Sequence, residues 1–432
     1  MSRLRFLTIF VESRSIRLQG AVARRLRAAH HARRREHAWR AGATTKDYPG
    51  AATMTQSDLA KRDESSVGVE PLFRPIEIGR LRLPNRLVMA PMTRNRSPRG
   101  IPTNDVARYY ARRAPHLAMT ITEGTYLPEP TSGYGTAVPR IDDREAGAGW
   151  SVVLAAMRQA EGRIVMQLWH VGAHLQPGDK APSDWPPISA SGLVGPGQPV
   201  GRAMTLDDIE RVVGAYGRAA QMAQRLGFDG IEIHAAHGYL IDTFLWREIN
   251  TRMDAYGGDA AARARLAVEV VEECRRQTGP DFPILFRFSQ WKLVDYDAKL
   301  VETPEELAQL VEPLADAGVD LFDCSTRRFW ESGFAGSPLT LAGWTKKLSG
   351  KPVIAVGSMG LSTDLLGGLQ GAKTSVATAS IYKAAELIDS GEVDLIAVGR
   401  ALLADPDWTE KVRTGRIHEL KAFDRSATAT LF

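Results

Sequence analysis

The segment HAAHGYL places His234, His237 and Tyr239 within six residues of one another. The i, i+3 spacing can set both imidazoles on one side of a turn. Two neutral rings there can donate N–H bonds to one substrate oxygen, while the tyrosine delivers a proton from another direction. Histidine is also a common zinc ligand, but no Cys or carboxylate stands at ligand spacing and neither ring belongs to an H-E-x-x-H motif. The expectation is a pair of substrate-binding imidazoles without a metal.

Two further residues stand out because they interrupt apolar segments. Gln167 lies in RIVMQLWH and Arg287 in ILFRF. A flavin ring presents an imide-like edge of alternating carbonyls and N–H, which a Gln amide matches with a donor and an acceptor together. An Arg on the opposite wall can stabilise the negative charge that collects near N1 and O2 on reduction. The competing reading of Arg287 is a buried pair with Glu232 or Asp323. Late in the chain, Gly357-Ser358 and Gly399-Arg400 each follow a strand-sized apolar segment, where backbone amides can face an anion and Arg400 can add charge. That pattern serves a flavin phosphate or a phosphorylated substrate equally well. There is no G-x-G-x-x-G after a strand and no G-x-x-x-x-G-K-[ST], so a separate dinucleotide or P-loop domain is unsupported.

The elements that must position these groups alternate in kind. Eight short segments rich in β-branched residues recur: Leu87 to Ala90, Leu117 to Thr122, Arg163 to Leu168, Gly230 to Ile233, Ile284 to Phe288, Asp320 to Asp323, Pro352 to Val356 and Asp394 to Val398. Helical patterns lie between them at Trp150 to Glu161, Leu206 to Leu226, Ala261 to Thr278, Pro304 to Ala317 and Tyr382 to Ser390. Thr205 with Asp208, and Thr303 with Pro304 and Glu306, read as helix-start boxes. The alternation predicts βα units and a parallel sheet, and eight units predict a single (β/α)8 barrel. A doubly wound sheet is the structural alternative. In a barrel the active site gathers at the C-terminal strand ends. Those ends read Pro91-Met92-Thr93, Glu123-Gly124, Gln167 to His170, His234 to His237, Arg287, Gly357-Ser358 and Gly399-Arg400.

With 432 residues, 44% hydrophobic and 24% charged, the chain can bury a large core. Its two cysteines, Cys274 and Cys324, are too few for a disulfide framework or an iron–sulfur cluster, and a reducing, cytoplasmic setting fits. No apolar run is long enough to span a membrane. Charge is uneven. Residues 1–53 hold twelve Lys or Arg against three Asp or Glu, a net of +9, so within a whole-chain charge of +5 the remainder is near −4. The basic excess thus belongs to an appendage, read as a disordered tail, a stretch preceding a start at Met54, or a transit or nucleic-acid-binding arm. Nucleic acid is not the expected partner of the folded body. The domain expectation is a basic, disordered or spurious extension over residues 1–65, a barrel with a short N-terminal cap segment over 66–420, and a tail over 421–432.

The motifs APMTRNR (Ala90 to Arg96), ITEGTYL (Ile121 to Leu127), QLWHVG (Gln167 to Gly172), HAAHGYL, RMDAYGG (Arg252 to Gly258), AVGSMG (Ala355 to Gly360) and AVGRALLADPDW (Ala397 to Trp408) occur in this order. In combination they resemble the Old Yellow Enzyme family of FMN-dependent ene reductases, from roughly Leu72 to Arg416. The resemblance implies a TIM barrel holding FMN, reduced by NADPH or NADH, that passes hydride to an activated alkene in a ping-pong cycle. A nitroester reductase or demethylase on the same barrel is the alternative. It implies that Thr93 bonds near flavin O4 and N5, and that Gln167 and Arg287 meet the pyrimidine side. Gly357, Ser358, Gly399 and Arg400 would hold the phosphate, with Pro91, Met92, Gly124 and His234 also lining the cofactor. His234 and His237 would bind the acceptor oxygen, Tyr239 would donate the proton, and Trp169 would line the substrate pocket. Three departures fall on the substrate side: Ala173-His174 where HVGR is usual, Asp259 where YGGS is usual, and a C-terminus without the tyrosine of several relatives. The substrate, the nicotinamide and the choice between monomer and homodimer stay open.

Overall fold

The computed structural model of the chain describes residues 68–431 apart from 142–143 and 176–177. The expected basic extension, residues 1–65, lies outside them.

Eight parallel strands close on themselves. In chain order they are β1 (Leu87–Met89), β2 (Met119–Ile121), β3 (Ile164–Trp169), β4 (Gly230–His234), β5 (Ile284–Ser289), β6 (Leu321–Ser325), β7 (Val353–Val356) and β8 (Leu395–Val398). Each pairs with its successor, and β8 pairs with β1 through Ile396 opposite Leu87, which completes the (β/α)8 barrel expected from the sequence. Every residue of these eight strands is buried, which is why the segments read as near-continuous apolar runs: one face meets the barrel interior and the other the surrounding helices.

The interior is filled by side chains. Val88, Met119, Val165, Leu285, Leu321, Ile354 and Leu395 pack together with Ile78, Leu81 and Leu83. The last three come from a hairpin of Ile76–Ile78 and Leu81–Leu83 that precedes β1 and joins its apolar side chains to the barrel core. This hairpin is the N-terminal cap segment, so the core at that end is apolar and the polar residues lie at the other.

Helices α1 (Asn104–Arg113), α2 (Arg144–Gln159), α3 (Leu206–Leu226), α4 (Arg265–Thr278), α5 (Pro304–Ala317), α6 (Leu341–Ser349), α7 (Thr378–Asp389) and α8 (Arg400–Ala404) follow the strands in turn. The Thr205 box forms as expected, with Thr205 accepting from the Asp208 amide and Asp208 accepting from the Thr205 amide. The second box forms only by half. Thr303 accepts from the Glu306 amide, but the Glu306 carboxylate reaches past Thr303 to the Glu302 amide at 2.8 Å. Asp259, in place of the usual serine, accepts from the Ala262 amide and starts the short helix Ala260–Arg263. The segment expected as a tail lies on the barrel: Arg94 donates to the carbonyls of Ala427, Thr428 and Thr430, and Arg96 to that of Ala429.

Candidate active site

One layer above the apolar filling, four adjacent strands each contribute a polar residue. Gln167 on β3 is in register with Glu232 on β4, and Arg287 on β5 with Asp323 on β6. The Gln167 amide donates from Nε2 to Glu232 Oε1 at 2.8 Å, and Arg287 donates from Nη1 to Asp323 Oδ2 at 2.8 Å. Arg287 is thus paired with Asp323, while its Nε is buried without a partner. Burial, then the neighbouring Asp323, pushes the Glu232 carboxyl well above the usual carboxylate range. In the sequence, Glu232 interrupts an apolar strand and both carboxylates are candidate partners of Arg287.

Strand β4 ends at His234, and the chain turns sharply through His237 (φ 66°) and Gly238 (φ 87°) to Tyr239. The rings of His234 and His237 lie 5.2 Å apart, and Tyr239 stands 5.0 Å from His234. The sequence spacing thus brings the three expected residues together. Side chains from the end of β5, the loop after it and the short helix Leu240–Leu245 hold the turn. Ser289 Oγ accepts from the His237 amide at 2.8 Å, Asp242 Oδ2 accepts from the Gly238 amide at 2.7 Å, and Lys292 Nζ pairs with Asp242 Oδ1 at 2.7 Å. His237 Nε2 lies 2.8 Å from Ser325 Oγ at the end of β6, and the ring stacks 4.1 Å from Trp291. Burial, reinforced by the charge of Arg287, drives both imidazoles well below their ordinary value, so both are neutral at pH 7. Burial, with Tyr126 nearby, raises the Tyr239 phenol above the usual tyrosine range and keeps its proton in place.

Trp169 ends β3 and packs 4.9 Å from the Tyr239 ring, 5.3 Å from Tyr126 and 6.2 Å from His234. Gly124 makes this possible, because a Cβ there would lie 2.5 Å from the Trp169 ring. The glycine expected to line a cofactor thus has a packing reason of its own. After β1, Pro91 and Met92 are half-buried and Thr93 is exposed, while the next amide, of Arg94, is tied to Glu123 Oε2 at 2.8 Å. Burial raises Glu123 to about 7.

At the ends of β7 and β8, a Cβ on Gly357 would lie 2.5 Å from the Thr326 carbonyl oxygen, so only glycine fits there. The Ser358 hydroxyl donates to the Arg327 carbonyl at 2.9 Å. Arg400 donates to the carbonyls of Thr363 and Asp364, both at 2.8 Å, which fixes it beside the loop after β7. Among the described residues, no carbonyl engages the backbone amides of Gly357, Ser358, Gly399 or Arg400. Free amides at two neighbouring strand ends, with a buried guanidinium and amide across the barrel mouth, fit a phosphate at one end of a ligand and an imide edge at the other. The residues present therefore fit FMN.

The sequence did not reveal the support around the site. His170 is fully buried and lies 3.3 Å from Glu129, which also accepts from Thr131 and Arg211. Burial alone would raise Glu129, but these bonds hold it down at about 2. His174, one of the departures, sets its ring edge-on to Tyr239 at 5.5 Å. The loop CSTRRFW buries Cys324 and Phe329 and ties its backbone to the ends of β7 at Val356 and Gly357.

A closed parallel barrel with such a mouth is the architecture of the flavin-using TIM-barrel oxidoreductases. The model of the NADH:flavin oxidoreductase / NADH oxidase family matches residues 71–419, and the chain belongs to this family, that of Old Yellow Enzyme. It is an FMN-dependent oxidoreductase. It is 34% identical over 369 residues to 12-oxophytodienoate reductase 7 of Oryza sativa subsp. japonica, covering 82% of this chain and 91% of that one. It is 31% identical to an NADH oxidase of Thermoanaerobacter brockii over 81% of this chain, but spans only 52% of that relative's length. Among solved structures, morphinone reductase in complex with tetrahydroNAD superposes with a TM-score of 0.69 at 29% identity, covering 83% of this chain and 93% of the other. The Old Yellow Enzyme homologue from Zymomonas mobilis gives 0.68 at 27%, covering 83% and 96%. Among the described residues, no helix is long and apolar enough to cross a membrane.

Proposed function

We propose that the protein reduces activated alkenes, α,β-unsaturated carbonyl or nitro compounds, using NADPH or NADH as the electron source. The observation that carries this reading is the grouping of His234, His237 and Tyr239, with rings 5.0–5.2 Å apart, at the mouth of the barrel, where burial favours neutral imidazoles and a protonated phenol. FMN held by these residues would supply the hydride, with a nicotinamide as its source of electrons. His234 and His237 donate N–H bonds to the acceptor oxygen and stabilise the negative charge that develops there as hydride reaches the β-carbon. The 2.8 Å contact of His237 Nε2 with Ser325 Oγ accommodates either tautomer; with the hydroxyl as donor, the ring keeps its proton on Nδ1 for the acceptor. Tyr239 then gives its proton to the α-carbon, and a saturated carbonyl compound leaves. Trp169 walls the acceptor, Gln167 and Arg287 hold the pyrimidine edge of the flavin, and Thr93, Pro91, Met92 and Gly124 line it. Gly357, Ser358, Gly399 and Arg400 take the phosphate.

The test is a rapid-mixing panel in which the loaded protein is reduced by each nicotinamide and then reoxidised by cyclohexenone, a nitroalkene or a nitrate ester. Fast reoxidation by cyclohexenone with a saturated ketone as product supports the reading. Reoxidation by the nitrate ester alone would replace it with nitroester reduction.

A further inference from the structure

The layer of Gln167, Glu232, Arg287 and Asp323 holds two carboxyl groups and one cation, with Glu232 and Asp323 both fully shielded from solvent. Below it lie apolar side chains, among them Val165, Leu285 and Leu321, two residues before Gln167, Arg287 and Asp323 on the same strands. Two ionised carboxylates there would leave an uncompensated buried charge, which costs several kcal/mol even after relaxation, on the order of a whole domain's spare stability. The oxygens show the same problem. Glu232 Oε1 accepts from Gln167 and Asp323 Oδ2 from Arg287, yet Glu232 Oε2 and Asp323 Oδ1 are both buried without a donor. The two carboxyl groups are close neighbours, and the Asp323 charge is among the causes that raise Glu232. One proton between them satisfies both orphaned oxygens and neutralises the layer.

We propose that Glu232 and Asp323 share a single proton, carried on Glu232, and that Glu232 is thereby a positioning residue for the flavin-binding amide of Gln167. The location follows from the partners. Asp323 has the Arg287 guanidinium on its other oxygen and is the better anion, whereas Glu232 has only the neutral Gln167 amide. The remaining polar neighbours argue the same way, since His234 on the same strand is neutral and the Lys292 charge is spent on Asp242. A protonated Glu232 accepts from Gln167 with its carbonyl oxygen and donates to Asp323 with its hydroxyl. This fixes which end of the Gln167 amide faces the core, leaving one N–H and the amide carbonyl for an imide edge. The Arg287 charge is then balanced by Asp323 alone. The consequence for flavin binding rests on the functional reading above; the shared proton does not.

The test is infrared spectroscopy of the protein carrying carbon-13 glutamate, with and without FMN. It is run well above pH 7, where Glu123, raised to about 7, has ionised. The expected result is a deuterium-sensitive carboxylic-acid carbonyl band, shifted by the label and missing in Glu232→Gln. The labelled parent alone decides the point should that variant not fold. Glu232→Gln keeps both bonds, accepting from Gln167 and donating to Asp323, so its FMN dissociation constant should stay within about threefold of the parent, whereas Glu232→Ala should lose roughly tenfold or more. Absence of the band in the parent, or a Glu232→Gln variant that binds FMN as poorly as Glu232→Ala, would overturn the proposal. A parent that shows the band yet binds no FMN would sink the flavin reading and leave the proton standing.

Discussion

At the scale of single residues, the site works by keeping groups neutral. A charged imidazole at His234 or His237 would sit unpaired near Arg287, so burial leaves each ring with one N–H to give and one lone pair to accept with. Ser325 Oγ, 2.8 Å from Nε2, is the hydrogen-bond partner that holds the His237 ring. Ser325→Ala should therefore weaken phenol and enone binding about two- to tenfold while leaving nicotinamide-driven reduction unchanged, because a single neutral hydrogen bond contributes roughly 0.5–1.5 kcal/mol. Titration of the loaded protein with a phenol, followed by its absorbance, measures the first quantity; unchanged phenol affinity would remove Ser325 from this role. His234, His237 and Tyr239 were legible because one turn carries all three. Ser325 was not, since it lies 88 residues from His237 and meets it only when the barrel closes.

At the scale of elements, the eight strands were legible because burial on both faces leaves an apolar run with few exceptions, and those exceptions proved to be the polar layer. Helix α1 was missed, since NDVARYYARR carries five charged or amide side chains, one of which, Arg113, is itself buried beside Val106, Ala107, Tyr109 and Tyr110. Helix α6 was missed because it is short and contains Gly343. The turn after β4 depends on an ion pair no local pattern announces: Asp242 and Lys292, both fully buried, lie 50 residues apart. Asp242→Ala would strand the Lys292 charge and release the Gly238 amide, and should cost about 3–5 kcal/mol. Replacing both partners with leucine should cost less than that single change, because the desolvation of both charges is removed together. Chemical denaturation of the three proteins checks the order; a double variant less stable than Asp242→Ala would contradict it.

At the scale of the whole molecule, two buried carboxyls near the mouth give stability opposite slopes with pH. Glu129 is held at about 2, below its ordinary 4.5, so its contribution is complete above pH 4.5 and is lost as the pH falls toward 2. Glu123 is raised to about 7, so its contribution is complete below pH 4.5 and is lost as the pH rises through 7. Each slope is at most about 1.4 kcal/mol per pH unit. Denaturation midpoints across pH should show Glu129→Gln flattening the acid limb and Glu123→Gln the neutral one; parallel curves would refute the assignment. In the proposed cycle one cavity serves both half-reactions, and Tyr239 is the residue that separates them. Accepting hydride from a nicotinamide needs no proton from this side chain, whereas saturating an enone does, and a positioned acid contributes roughly 10² to 10⁴-fold. Cyclohexenone is the decisive acceptor, because a nitroalkene product can pick up its proton from water after leaving. In rapid mixing, Tyr239→Phe should be reduced within about threefold of the parent rate and reoxidised by cyclohexenone roughly 10² to 10⁴-fold more slowly. Reoxidation at the parent rate would contradict the account and leave water as the proton donor.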